Sequence, residues 1–148
     1  MEVEIKELDK YTFNDSIQLL QRFYKEHKGE LIHRVEAESI LKNPNNKTIV
    51  LTIDGNVRGL YTYEDAGEVY LVRAFVLHPL VRKKKIGYTL WKEMNERLKA
   101  KPAIIGIIKR NEAIRNIIRK RGHFIGVGID NDLQELEFYN LTFKDKDK

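Results

Sequence analysis

The chain has 148 residues, enough for one domain that buries about 70% of the surface its unfolded form exposes. With 42% hydrophobic and 33% charged residues it is too apolar for a disordered chain, and the absence of cysteine excludes disulfides, thiolate catalysis and Cys-ligated zinc. A net charge of +5, from 27 Lys and Arg against 22 Asp and Glu, points to an anionic partner: nucleic acid, a phosphorylated cofactor or an acidic protein surface.

The opening MEVEIKELDK mixes charge with apolar residues and lacks the apolar stretch of a secretory leader. No apolar run is long enough for a membrane helix, so the expectation is a soluble cytoplasmic domain. Val3 and Ile5 alternate with polar neighbours, which predicts a half-buried strand over Glu2 to Leu8. Thr12 followed by Asp15 resembles a capping box, and Ile17, Leu20 and Phe23 continue at helical spacing to about His27. A second helix is predicted from Arg34 to Leu41, ended by Asn43 and Pro44.

From Lys47 the period becomes two. Thr48 to Ile53 and Val57 to Tyr63 read as a hairpin turning at Asp54-Gly55-Asn56, and Val69 to Leu77 as the most apolar strand. His78-Pro79 stops that strand. Leu90, Trp91, Met94 and Leu98 then mark the core face of a helix from about Gly87 to Lys99. Ala103 to Ile108 suits a doubly buried strand, and Asn111 opens a further helix ending near Gly122. Phe124 to Ile129 and Leu133 to Tyr139 form a closing hairpin joined at Asn131-Asp132. One domain is expected over 1–143, with the charged 144–148 a solvated tail. The order β-α-α-β-β-β-α-β-α-β-β predicts an α/β (α+β) sandwich of a mixed sheet with helices on both faces.

The stretch from Val76 to Leu90 carries the most chemistry. A buried strand ends at proline, passes through Arg82-Lys83-Lys84-Lys85 and enters a helix near Gly87. By charge alone such a run reads as a solvated turn. Unpaired amides at a helix start, the helix dipole and four consecutive cations together make a phosphate cradle.

This segment resembles the acetyl-coenzyme A signature of the GNAT superfamily of N-acetyltransferases: Gln or Arg, two residues, Gly, one residue, then Gly or Ala. Arg82 fills its first position and Gly87 its last. Leu77-His78-Pro79 resembles the family's strand end, Asn111-Glu112 its Asn-rich helix start, and Phe124-Ile125-Gly126-Val127-Gly128 its late turn. The element order matches from end to end. The resemblance implies a GNAT-like, mostly antiparallel sheet whose central pair, Val69 to Leu77 and Ala103 to Ile108, splays around the pantetheine arm. Main-chain groups of Phe75, Val76 and Leu77 would hold that arm, as they would an added strand. The pyrophosphate would sit on the amides of Lys83, Lys84, Lys85, Ile86 and Gly87, with Asn111 near the arm. The activity implied is transfer of an acetyl group from acetyl-CoA to a primary amine of a small molecule or protein, with no metal, in a monomer or homodimer.

Three positions depart from the family pattern. Lys85 stands where glycine is usual, a substitution that strains the backbone if the site needs positive φ. The helix tyrosine that protonates the leaving thiolate is replaced by Ile118 or Arg119. The strand positions that carry a general base are Leu71, Arg73 and Ala74. Catalytic residues are therefore not assigned. Tyr24 and His27, ending the first helix, and Arg73, in mid-strand, are weak candidates for the acceptor side. The competing reading is a catalytically degenerate GNAT-like module that binds nucleic acid through Arg115, Arg119, Lys120 and Arg121, with Arg82 to Lys85 added.

Overall fold

Strand pairing follows the two-residue period of the sequence, starting from the tight turn at Asp54-Gly55. Both turn residues have positive φ, 51° and 85°, as a two-residue hairpin loop demands. The computed structural model describes residues 1–28, 33–82, 84–108, 115, 118–120, 122–129 and 135–141. Its elements are β1 (Val3–Glu7), α1 (Phe13–Lys28), α2 (Arg34–Lys42), β2 (Asn46–Ile53), β3 (Asn56–Asp65), β4 (Tyr70–Leu77), a 3-10 turn (Pro79–Val81), α3 (Lys85–Arg97), β5 (Ala103–Ile108), β6 (His123–Ile129) and β7 (Glu135–Leu141). Arg115 and residues 118–120 are helical as well. The Asn131-Asp132 turn and the 144–148 tail lie outside the described residues.

The seven strands form one sheet in the order β1-β2-β3-β4-β5-β7-β6. Every neighbouring pair is antiparallel except β4 and β5. The expected mixed, mostly antiparallel sheet is therefore present, and it is covered on both faces. Ile17, Leu20, Ala37 and Leu41 of α1 and α2 pack with Val50, Leu60 and Val76 on one side. Leu90, Trp91, Met94 and Leu98 pack with Ile49, Tyr61, Phe75 and Ile105 on the other, together with Ile118. Complete burial of each such side chain is worth about 1.5–3 kcal/mol. The two apolar layers clamp β3 and β4 from both sides.

Local chemistry departs from expectation at two helix starts. Thr12 does not serve Asp15 in a capping box. Its hydroxyl accepts from Asp9 N–H (3.0 Å), and the Asp9 carboxylate takes the N–H groups of Tyr11 and Thr12. Asp15 accepts instead from Val57 N–H (3.2 Å), joining α1 to the beginning of β3. The third helix starts at Lys85, two residues earlier than predicted, because Lys85 and Ile86 continue the helical backbone back to an N-cap at Lys84. No described helix is long and apolar enough to cross a membrane.

Candidate functional site

The parallel pairing of β4 with β5 is short: Tyr70 with Ala103, Leu71 with Ile104 and Val72 with Ile105. Beyond it the strands part. Residues 106–108 of β5 continue along β7, while Ala74 to Leu77 continue along β3. The bulge that places Arg73 and Ala74 opposite Thr62 sits at the point of parting. One extra residue reverses the alternation, so Val72 and Phe75 both join the α3-side core while Ala74 and Val76 turn toward α1 and α2.

The opening is lined by main chain of known direction. His78 N–H donates to Arg58 C=O (2.9 Å). Counting back along this antiparallel ladder, the peptide groups of Val76 face β3, and those of Phe75 and Leu77 face the opening. Phe75 is held there by Tyr61, stacked at 6.4 Å, and by Trp91, edge-on at 5.5 Å. The three neighbouring residues that the resemblance marks thus divide into two that address the opening and one that belongs to the ladder.

At the end of β4 the chain turns tightly. His78 Nδ1 accepts from Leu80 N–H (3.1 Å), and Val81 N–H returns to His78 C=O (3.0 Å). Proline at the first position of this turn has the backbone angle it needs and no amide to lose. The turn then packs on α3 through Gly87. A Cβ on Gly87 would stand 2.7 Å from the Val81 carbonyl oxygen and 3.1 Å from Leu77 Cδ1. Only glycine permits this approach of loop to helix. In α3 the first i to i−4 bond runs from Tyr88 N–H to Lys84 C=O (3.3 Å), so helix geometry leaves the amides of Lys85, Ile86 and Gly87 outside the ladder. Lys84 and Lys85 are exposed beside them. Among the described residues the sole non-glycine with positive φ is Asp54. Lys85, in the first turn of α3, carries none of the backbone strain its departure from glycine raised.

Arg82 is engaged within the chain. Its Nε donates to Leu77 C=O (3.0 Å), and its two terminal nitrogens donate to Glu26 of α1 at 2.7 and 3.1 Å. It is a strut from α1 across the end of β4. Lys83 and Asn111 lie outside the described residues. Tyr24 is half-buried against the α1–α2 core and meets Phe23 edge-on at 5.9 Å. His27 lies in the last turn of α1, its side chain outside those described.

Arg73 points into solvent from the bulge and pairs with Glu64 at 2.5 Å. Its charge is met by Glu64 of the neighbouring strand. The basic stripe on the helix before β6 is likewise altered. Arg115 turns inward, its side chain 12% exposed, and donates to Glu137 at 3.0 and 3.3 Å. Arg119 approaches the same carboxylate at 3.9 Å. Tyr139 donates to Glu137 as well (2.8 Å), and this hydrogen bond, followed by Arg115, holds the carboxyl below its usual range. Arg115 and Arg119 do share a face, but that face serves Glu137. Arg121 lies outside the described residues.

Sequence reasoning missed Glu26, Arg22 and Arg58 around this turn. The four-residue spacing of Arg22 and Glu26 on one helix was the available signal, and nothing local marks Arg58.

No family model matches the chain, and no curated protein matches it. Solved structures do. An acetyltransferase of the GNAT family from Staphylococcus aureus Mu50 superposes with a TM-score of 0.73 at 14% identity, covering 95% of this chain and 99% of that one. PaiA N-acetyltransferase from Thermoplasma acidophilum, in complex with coenzyme A, gives 0.68 at 16% identity over 95% and 99%. The ribosomal-protein-S18-alanine N-acetyltransferase from Escherichia coli gives 0.73 at 10% identity over 95% and 93%. With its parallel β4–β5 pair opening beside the start of α3, this chain has the fold of the GNAT N-acetyltransferases.

Proposed function

We propose that the chain is an acetyl-CoA-dependent N-acetyltransferase that acts on a primary amine of a small molecule or protein. The observation that carries this reading is the parting of β4 and β5 next to an α3 whose first amides are outside the helix ladder. The pantetheine arm takes the place of a strand in the opening, against the peptide groups of Phe75 and the N–H of Leu77, whose carbonyl accepts from Arg82. The pyrophosphate docks on the amides of Lys85, Ile86 and Gly87, where the helix dipole and the ammonium groups of Lys84 and Lys85 favour an anion. A solved structure of the same fold with coenzyme A bound supports this assignment.

Acetyl-CoA supplies the thioester. The chain's contribution is alignment of amine and thioester, together with a main-chain N–H of β4 directed at the oxyanion. A primary amine with pKa near 10 must shed a proton before attack, and water can carry that proton away. The test is amine-dependent release of free CoA thiol from acetyl-CoA across a panel of small amines and peptide N-termini. Turnover with any of them supports the reading. Failure to bind acetyl-CoA at millimolar concentration ends it.

A further inference from the structure

A second concentration of positive charge lies between α1 and the start of β3, at the end of β4. A cleft of about 440 Å³ there is lined by Gln18, Arg22 and Lys25 of α1, Arg58 of β3 and His78. The three α1 residues fall at i, i+4 and i+7, on one face of the helix. Arg58 is the extra residue of a bulge: Leu51 pairs with Gly59 and Thr52 with Val57, leaving Arg58 to leave the regular alternation. The acid in the lining, Asp15, is engaged by Val57 N–H. Glu26 nearby is shared between Arg82, at 2.7 Å, and Arg22, at 3.7 Å. Among the described residues no acid pairs with Lys25 or Arg58.

His78 adds a sharper clue. Its Nδ1 faces Leu80 N–H (3.1 Å), and its Nε2 lies 3.2 Å from a terminal nitrogen of Arg22. A neutral imidazole has one lone pair and one N–H, so whichever tautomer forms, one donor faces another. With Nδ1 accepting from Leu80, the Nε2 proton and the Arg22 N–H converge. An anionic oxygen between them accepts from both and removes the conflict.

We propose that this cleft binds a phosphate monoester dianion, with Arg22 and His78 Nε2–H sharing one oxygen and the Arg58 guanidinium and Lys25 ammonium taking the others. Two cations without an acidic partner among the described residues and a pair of converging donors match a small tetrahedral dianion better than a single carboxylate. The groups facing His78 are Arg22 and Glu26 from α1, Arg58 from β3 and Arg82 from the turn. Burial first, then Arg22, Arg58 and Arg82, holds the ring below the usual histidine range, with Glu26 opposing. A dianion among those cations reverses much of their effect, so occupancy raises the His78 pKa.

The experiment is an NMR titration of the full chain with inorganic phosphate and with phenyl phosphate at constant ionic strength. It follows the His78 ring and its pKa. The expected result is a saturable response to both probes and a raised His78 pKa. Arg58→Glu and Lys25→Glu should each weaken binding about tenfold or more, the scale of one charge-assisted hydrogen bond, and Lys85→Glu should leave affinity within about twofold. Lys25 is exposed on α1, so Lys25→Glu preserves the test if Arg58→Glu fails to fold. A silent His78, unchanged affinity in Lys25→Glu, or loss of binding in Lys85→Glu overturns the proposal. Binding of inorganic phosphate without phenyl phosphate overturns the ester assignment. Because the readout needs no acetyl-CoA, its outcome is separate from that of the acetyltransferase reading.

Discussion

At the scale of single residues, Gly87 and Arg82 share a sequence motif but act by different physics. Gly87 matters for the Cβ it lacks. Gly87→Ala sets a methyl group against the Val81 carbonyl, and the turn must move away from α3. The expected outcome is a loss of about 1–3 kcal/mol in denaturant unfolding, the cost of overpacking a tight contact, with weaker acetyl-CoA binding because the turn and the α3 amides no longer share one geometry. Arg82 matters for what it already holds. Arg82→Ala leaves the Leu77 carbonyl and the Glu26 carboxylate without this donor, and should cost about 1–3 kcal/mol. A double-mutant cycle with Glu26→Gln should show coupling if the strut is real. Arg73→Ala makes a useful contrast. Its pair with Glu64 is exposed, so stability should change by less than about 1 kcal/mol.

The sheet beyond the opening is organised by β7, which is flanked by glycine on both sides. A Cβ on Gly106 of β5 or on Gly128 of β6 would fall 2.8 Å from the ring of Phe138. The ring therefore lies across both neighbouring strands. Gly106→Ala should destabilise the chain by about 1–3 kcal/mol, and adding Phe138→Leu should recover part of the loss, measured by urea unfolding. The opposite face of β7 carries the Arg115–Glu137–Tyr139 cluster. The Glu137 carboxyl is held below its usual range, first by the Tyr139 hydroxyl and then by Arg115. A carboxyl depressed in the folded state stabilises it above the unfolded pKa, near 4.5, and loses that contribution as pH falls through the lower folded value. Tyr139→Phe removes the largest cause. The difference in stability between wild type and Tyr139→Phe should be larger at pH 7 than at pH 3. A difference independent of pH would place the effect of Tyr139 in packing alone.

At the scale of the whole molecule, what could be read in advance was whatever is written locally. The Asp54-Gly55 turn, the alternation through β2 to β4 and the Leu90–Trp91–Met94–Leu98 stripe each carry their structure in a few adjacent residues. The turn and the stripe appear as expected, apart from small shifts at element ends, while bulges at Arg58 and Arg73 interrupt the alternation. The roles of charged residues were less legible, since charge partners come from distant sequence. Arg82 meets Glu26 across 56 positions and Arg115 meets Glu137 across 22. A run of cations that looked uniform in sequence thus separates into a strut at Arg82 and exposed ammonium groups at Lys84 and Lys85. The capping box failed for a related reason. Thr12 and Asp15 had the right spacing, but Asp9 and the Val57 amide offered each a competing partner.

The central claim is that the parted strands and the start of α3 form one site for acetyl-CoA. Ligand at about a hundred times its dissociation constant stabilises a protein by about 2.7 kcal/mol, which for a chain of this length raises the melting temperature by about 5–10 °C. The most direct measurement is calorimetric titration of the full chain with acetyl-CoA, repeated with Lys85→Glu. We predict saturable binding of one acetyl-CoA per chain, weakened about tenfold or more when the Lys85 charge is reversed. No binding at millimolar acetyl-CoA, or equal affinity in the two chains, would contradict the account.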